Sequence, residues 1–223
     1  MKKFQFGFYL YALVCIGIRS TAQSIHQFQK EIDAFNKQDS LVPPPAHPIL
    51  FVGSSSFTKW KTINTDLPGY PIINRGFGGS RLIDVMHFAQ ETIFKYQPKQ
   101  IYIYCGENDI AMDSTVSPAV LLERYKQLHG MIREKLGRKI PVVVISIKPS
   151  IARWKLEKKY VETNKLIKEF LSSDKFATFL DVHQPMLDEN QEVLKDIFVE
   201  DNLHMNEKGY AIWIKAIGPT LLK

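Results

Sequence analysis

The sequence predicts a three-layer α/β/α sandwich built on a five-stranded parallel sheet. Five short apolar runs recur along the chain: ILFV at 49–52, PIIN at 71–74, IYIYC at 101–105, PVVVISI at 141–147 and TFLDV at 178–182. Longer amphipathic segments alternate with them, at roughly 81–96, 118–137, 156–172 and 207–217. The runs are almost continuously apolar, as strands covered on both faces require. Ligands of such sheets bind outside the carboxyl ends of the strands. The residues that follow each run are therefore where chemistry is expected.

Two segments stand before the first run. Residues 1–22 have the pattern of a secretory signal peptide: Lys2 and Lys3, an uncharged apolar run from Phe4 to Ile18, then small Ser20, Thr21 and Ala22. The run is shorter than the roughly 20 residues that span a bilayer as a helix. Cleavage after Ala22, a secreted or periplasmic location and no stable membrane insertion afterwards are the expectation, with a retained anchor as the alternative. Residues 23–48 form an N-terminal lead. Ile25, Phe28, Ile32 and Phe35 recur at helical spacing, and the four prolines of LVPPPAHP at 41–48 enforce an extended path. Residues 49–223 then form one domain.

Composition narrows the possible partners. The chain is 45% apolar and 23% charged, as a globular protein is. Losing residues 1–22 removes Lys2, Lys3 and Arg19 and no acidic residue, so the formal charge falls from +6 to +3. The remaining basic residues are scattered, which argues against a nucleic-acid partner. Cys105 becomes the only cysteine, leaving no intramolecular disulfide and no cysteine-based metal framework.

After the first run comes Gly53-Ser54-Ser55-Ser56, and after the second Asn74-Arg75-Gly76-Phe77-Gly78-Gly79-Ser80. Gly106-Glu107-Asn108-Asp109 follows the third run, and Asp201-Asn202-Leu203-His204 precedes the last helix. Each is ambiguous alone. A Gly-Ser turn is usually only a turn, the glycine loop lacks the lysine of a P-loop, and an Asp and a His three apart could start a helix or ligate a metal. Together they supply what serine ester hydrolysis needs. Ser55 offers a hydroxyl, His204 a base and Asp201 a carboxylate one turn away. The N–H groups of Ser55, Gly79 and Asn108 can meet a developing oxyanion.

These four blocks, FVGSSS, NRGFGGS, YCGEND and DNLH, resemble those of the SGNH hydrolases, also called GDSL-type esterases and lipases. The resemblance runs from about residue 49 to the C-terminus. It implies a flavodoxin-like fold and acyl hydrolysis without metal or other cofactor. By position it implies Ser55 as nucleophile, Ser55, Gly79 and Asn108 as the oxyanion hole, His204 as base and Asp201 as its orienting acid. One position departs from the family pattern. The aspartate usual between glycine and serine is here Ser54, which leaves the local hydrogen bonding open and Ser54 as a rival nucleophile.

Outside the blocks, Arg153 and Trp154 in KPSIARW (148–154) should overhang the site and are candidates for substrate contact. Arg75 and Glu107 could pair beneath the oxyanion loop. His26, His87, His129 and His183, together with Trp60, Tyr210 and Trp213, read as structural, and Cys105 as a buried small hydrophobe. The expected function is a secreted serine esterase acting on a small-molecule or glycan ester, with short acyl groups such as acetyl on carbohydrate favoured. A lipid or lysophospholipid acylhydrolase and a catalytically weak ligand-binding relative are the alternatives. The G-x-S-x-G elbow of the α/β-hydrolases is absent, because Phe57 stands where its second glycine belongs.

Overall fold

The computed structural model describes residues 26–223, so the expected signal peptide lies outside the described residues. Helix α1 (Gln29–Leu41) leads through the proline segment into β1 (Ile49–Gly53). Next come α2 (Ser55–Lys59), α3 (Ile63–Asp66), β2 (Ile72–Gly76), α4 (Leu82–His87) and α5 (Ala89–Thr92). The second half runs β3 (Gln100–Tyr104), α6 (Glu107–Met112), α7 (Pro118–Leu136), β4 (Val142–Ile145), α8 (Glu157–Leu171), β5 (Ala177–Leu180) and α9 (Glu207–Ile217).

All four strand pairings are parallel, in the order β2-β1-β3-β4-β5. This is the flavodoxin-like arrangement, whose switch point lies between β1 and β3. The continuous apolar runs follow from the period-2 geometry of a strand. Leu50, Val52, Ile101, Ile103, Val142 and Val144 face one way, into a core with residues of α1, α4, α5, α7 and α8. Ile49, Phe51, Tyr102, Tyr104, Val143 and Ile145 face the other way, against α2, α3 and α9. In this second core the Phe51 ring stacks on Tyr102 at 4.6 Å and meets Phe57 edge-on at 5.2 Å. Burying one such ring contributes about 1.5–3 kcal/mol.

The expected helix at 81–96 is broken. The backbone leaves helical geometry at Phe88 (φ −100°, ψ 20°), whose ring packs edge-on against His26, Phe77 and His87. The segment ends in a 3-10 turn at Phe94–Tyr96 and a left-handed Gln97. The short helices α2 and α6 occupy strand-end segments expected as turns, and α3 lies between α2 and β2. The expected pairing of Arg75 with Glu107 does not form. Arg75 instead donates to Asp39 of α1 and to the Tyr96 hydroxyl (2.6 Å), locking α1 against the sheet edge.

Candidate active site

At the end of β1 the chain must turn where β1 and β3 nearly touch. Gly53 has φ +139°, and a Cβ there would lie 1.9 Å from the Tyr104 carbonyl oxygen. Only glycine fits that approach. Ser54 then stands extended as the residue before α2, and Ser55 is the first residue of that helix. Their hydroxyls go to different places. Ser54 is buried, and its Oγ accepts from Asn108 Nδ2 at 2.7 Å. Ser55 Oγ lies 2.9 Å from His204 Nε2.

The loop before α9 shapes the acid-base pair. Asp201 Oδ1 accepts from the backbone N–H groups of Leu203 (2.9 Å) and His204 (2.8 Å), while Oδ2 lies 2.5 Å from His204 Nδ1. Partial burial works against the Asp201 charge. Hydrogen bonds from the His204 ring and from these two N–H groups outweigh it and hold the carboxyl at about 2. A carboxylate at Nδ1 fixes the proton there, so Nε2 presents its lone pair to the Ser55 hydroxyl. Both ring nitrogens of His204 are thus engaged, which is the arrangement of a proton relay.

N–H donors gather at the neighbouring strand ends. Gly79 adopts φ +76°, a left-handed turn, and the Ser80 hydroxyl anchors that turn by donating to the Gly53 carbonyl at 3.1 Å. Among the described residues, the backbone N–H groups of Ser55 and Gly79 donate to no acceptor. Asn108 Nδ2 donates to Ser54 Oγ and, at 3.2 Å, to the Ser80 carbonyl. Its other end is held as well, because Arg153 Nη2 donates to Asn108 Oδ1 at 2.8 Å. Arg153, a candidate for substrate contact, is thus bonded to the Asn108 amide. Trp154 is 37% exposed and lines a neighbouring groove.

Lys148 is a site residue that the sequence reading passed over. It is fully buried, donates to the Leu203 carbonyl at 2.8 Å and lies 3.3 Å from Glu107 Oε1. Burial lowers its pKa, although Glu107 opposes the shift. Glu107 also pairs with Arg153 Nη1 (3.3 Å) and accepts from the Tyr104 hydroxyl (2.7 Å). One buried cluster thereby ties the Asn108 turn to the His204 loop. A lysine directly after an apolar strand was the available signal, but its partners lie 41 and 55 positions away.

Three of the other histidines have acidic neighbours of their own: Asp84 for His26, Asp174 for His129 and Glu157 for His183. His87 stacks on His26 at 4.7 Å. Trp60, Tyr210 and Trp213 are buried in the second core. Cys105 is fully buried with its thiol on the Ser80 carbonyl, and burial pushes its pKa well up.

A flavodoxin-like sheet with three of these blocks at its strand ends and the fourth in the loop before α9 defines the SGNH class of hydrolase fold. The sequence model of the GDSL-like Lipase/Acylhydrolase family matches residues 49–212, and the chain belongs to that family. Solved structures share the fold at low identity. A Streptococcus pneumonia protein assigned as a platelet activating factor is 20% identical, with TM-score 0.74 over 87% of this chain and 92% of its own. A GDSL-like lipase from Bacteroides thetaiotaomicron is 17% identical, with TM-score 0.70 over 85% and 96%. An acetylxylan esterase from Geobacillus stearothermophilus is 12% identical, with TM-score 0.63 over 77% and 93%. No curated protein matches the sequence significantly.

Proposed function

We propose that the chain is an exported serine esterase that hydrolyses short acyl esters, acetyl groups on carbohydrate foremost, through an acyl-enzyme on Ser55. The observation that carries this reading is the continuous contact Ser55 Oγ–His204 Nε2 (2.9 Å) and His204 Nδ1–Asp201 Oδ2 (2.5 Å). As Ser55 Oγ bonds to the ester carbonyl carbon, its proton passes to His204 Nε2. The carbonyl π electrons move to oxygen, and the oxyanion is met by the N–H groups of Ser55 and Gly79 and by Asn108 Nδ2, which leaves Ser54 Oγ. Asp201 steadies the imidazolium. Collapse breaks the bond to the alcohol, which takes the proton from His204. Water, deprotonated by the same nitrogen, then releases the acid and restores Ser55.

The Asp201 side chain is 45% exposed, so the alcohol side of the site opens to solvent and suits a large leaving group. Carbohydrate is a substrate compatible with this fold, since the Geobacillus relative is an acetylxylan esterase. Export rests on the N-terminal pattern, and the mature protein should begin at Gln23.

Ser55→Ala is expected to abolish both aryl acetate hydrolysis and labelling by a fluorophosphonate. Asn108→Ala should remain folded and lose about 10²–10³-fold in kcat. Retained labelling in Ser55→Ala would overturn the assignment. A kcat/KM that climbs with acyl chain length from acetyl to decanoyl would favour the lipid acylhydrolase reading.

A further inference from the structure

A groove of about 520 Å³ lies between α8, the end of β5 and the segment that follows, with Trp154, Glu157, Asp181 and His183 in its walls. That volume is in the range that encloses a small organic ligand. β5 is three strands from β1 in the sheet order, a span of about 14 Å at ordinary strand spacing. The 148–154 loop bridges the interval. The Ala152 N–H donates to the Asn202 carbonyl (3.0 Å), Lys148 reaches the Leu203 carbonyl (2.8 Å), and Arg153 holds Asn108 (2.8 Å). Trp154 comes next in the chain.

The direction of the reaction gives this placement its meaning. A leaving alcohol must sit where His204 Nε2 can protonate it, away from the oxyanion donors. His204 belongs to the loop to which the 148–154 segment is bonded. An alcohol portion leaving on the His204 side would run over that segment toward the groove whose wall includes Trp154.

The lining pairs apolar side chains (Trp154, Val161, Phe179, Leu187) with hydrogen-bonding groups, which suits a sugar, apolar on its C–H faces and polar at its hydroxyls. Trp154 offers a flat apolar face on which the C–H face of a pyranose can lie. Glu157 Oε1 lies 2.6 Å from His183 Nε2, whereas Glu157 Oε2 is buried without a hydrogen-bond partner. A buried acceptor of this kind calls for a hydroxyl donor, and a hydrocarbon chain would leave it unsatisfied. Lys165 and Lys168 stand in the same groove as Glu157 and Asp181, so the charges offset and give little preference for a phosphate or a quaternary amine.

We propose that this groove is a subsite for the sugar units flanking the one that bears the ester, making the substrate an acylated oligosaccharide. The proposal rests on the esterase reading and extends it from reaction to substrate. Its test compares kcat/KM for monoacetylated xylo-oligosaccharides of one to four units with that for an aryl acetate. For Trp154→Ala and Glu157→Gln, the tetrasaccharide-to-aryl ratio should fall about tenfold, mainly through KM, with no fall for the monosaccharide. Binding without turnover is read separately on the Ser55→Ala chain. Unacetylated xylotetraose should quench its tryptophan fluorescence, and adding Trp154→Ala should remove the quench. Unchanged ratios and no quench would overturn the subsite while leaving Ser55-dependent aryl acetate hydrolysis intact. Loss of the aryl reaction's dependence on Ser55 would instead sink the esterase reading. A ratio shift seen only with phosphocholine or long-chain acyl esters would also overturn the proposal.

Discussion

An amide side chain can aid an oxyanion only with its N–H end forward, and Asn108 has no such preference of its own. Arg153, donating to Oδ1 at 2.8 Å, sets the orientation together with the Ser80 carbonyl, which accepts from Nδ2 at 3.2 Å. Arg153→Met should therefore lower kcat about 10–100-fold with KM nearly unchanged, less than the 10²–10³-fold cost of deleting the donor. Arg153→Lys should recover part of the loss, and affinity for an aryl boronic acid should fall in parallel with kcat. A raised KM at constant kcat would mark Arg153 as a ground-state substrate contact instead. The contact of Ser55, His204 and Asp201 was legible in the sequence because each stands beside an element at a recognisable spacing. The sequence did not show what Ser54 does in place of an aspartate. The structure gives Ser54 a partner, the Asn108 amide, that lies 54 positions away. Long separation hid Lys148 and the true partner of Arg75 in the same way.

Strands β1 to β4 were legible to within a residue or two because both their faces are largely buried, and the half-buried edge strand β5 because its residues still pack on α8. Helices of four to six residues were not, since they are too short to display a 3.6-residue period. The break at Phe88 was hidden because its cause is tertiary, an aromatic ring claimed by the core. Between β1 and β3 the tolerance is smallest. In Gly53→Ala the new Cβ would meet a backbone oxygen at 1.9 Å, at a φ of +139°. Neither a side-chain movement nor an ordinary backbone conformation relieves this clash. Thermal or urea denaturation should show a loss of at least about 3 kcal/mol, and any folded fraction should have impaired turnover because Ser55 lies two residues on.

At the scale of the whole molecule, α1 is held to the first core by Phe28 and Ile32 and to the sheet edge by Asp39. Asp39 meets Arg75, Lys95 (2.7 Å) and the Tyr96 hydroxyl (2.6 Å). Burial opposes its charge, but hydrogen bonds from Lys95 and Tyr96 and the nearby Arg75 charge bring its pKa below the ordinary 3.8. A depressed carboxylate stabilises the fold fully above its unfolded value, and that contribution fades as pH falls through the folded value. Asp39→Ala should thus cost about 2 kcal/mol near neutral pH, since it leaves a buried guanidinium poorly paired. Urea titrations should show the gap to the unmutated protein narrowing below about pH 4. A gap that stays constant to pH 2.5 would show that packing, and not charge, holds α1 in place.

Cys105, sealed beneath the Ser80 turn, makes the site keep its own record of opening. A thiol reagent in solution can reach it only when the end of β3 parts from the glycine loop. The rate of its alkylation therefore counts excursions of the glycine loop away from the closed state, with no label introduced. Under the proposed export the same seal has a protective effect. The one thiol of the mature chain stays out of reach of oxidants and of other chains for as long as the glycine loop stays closed.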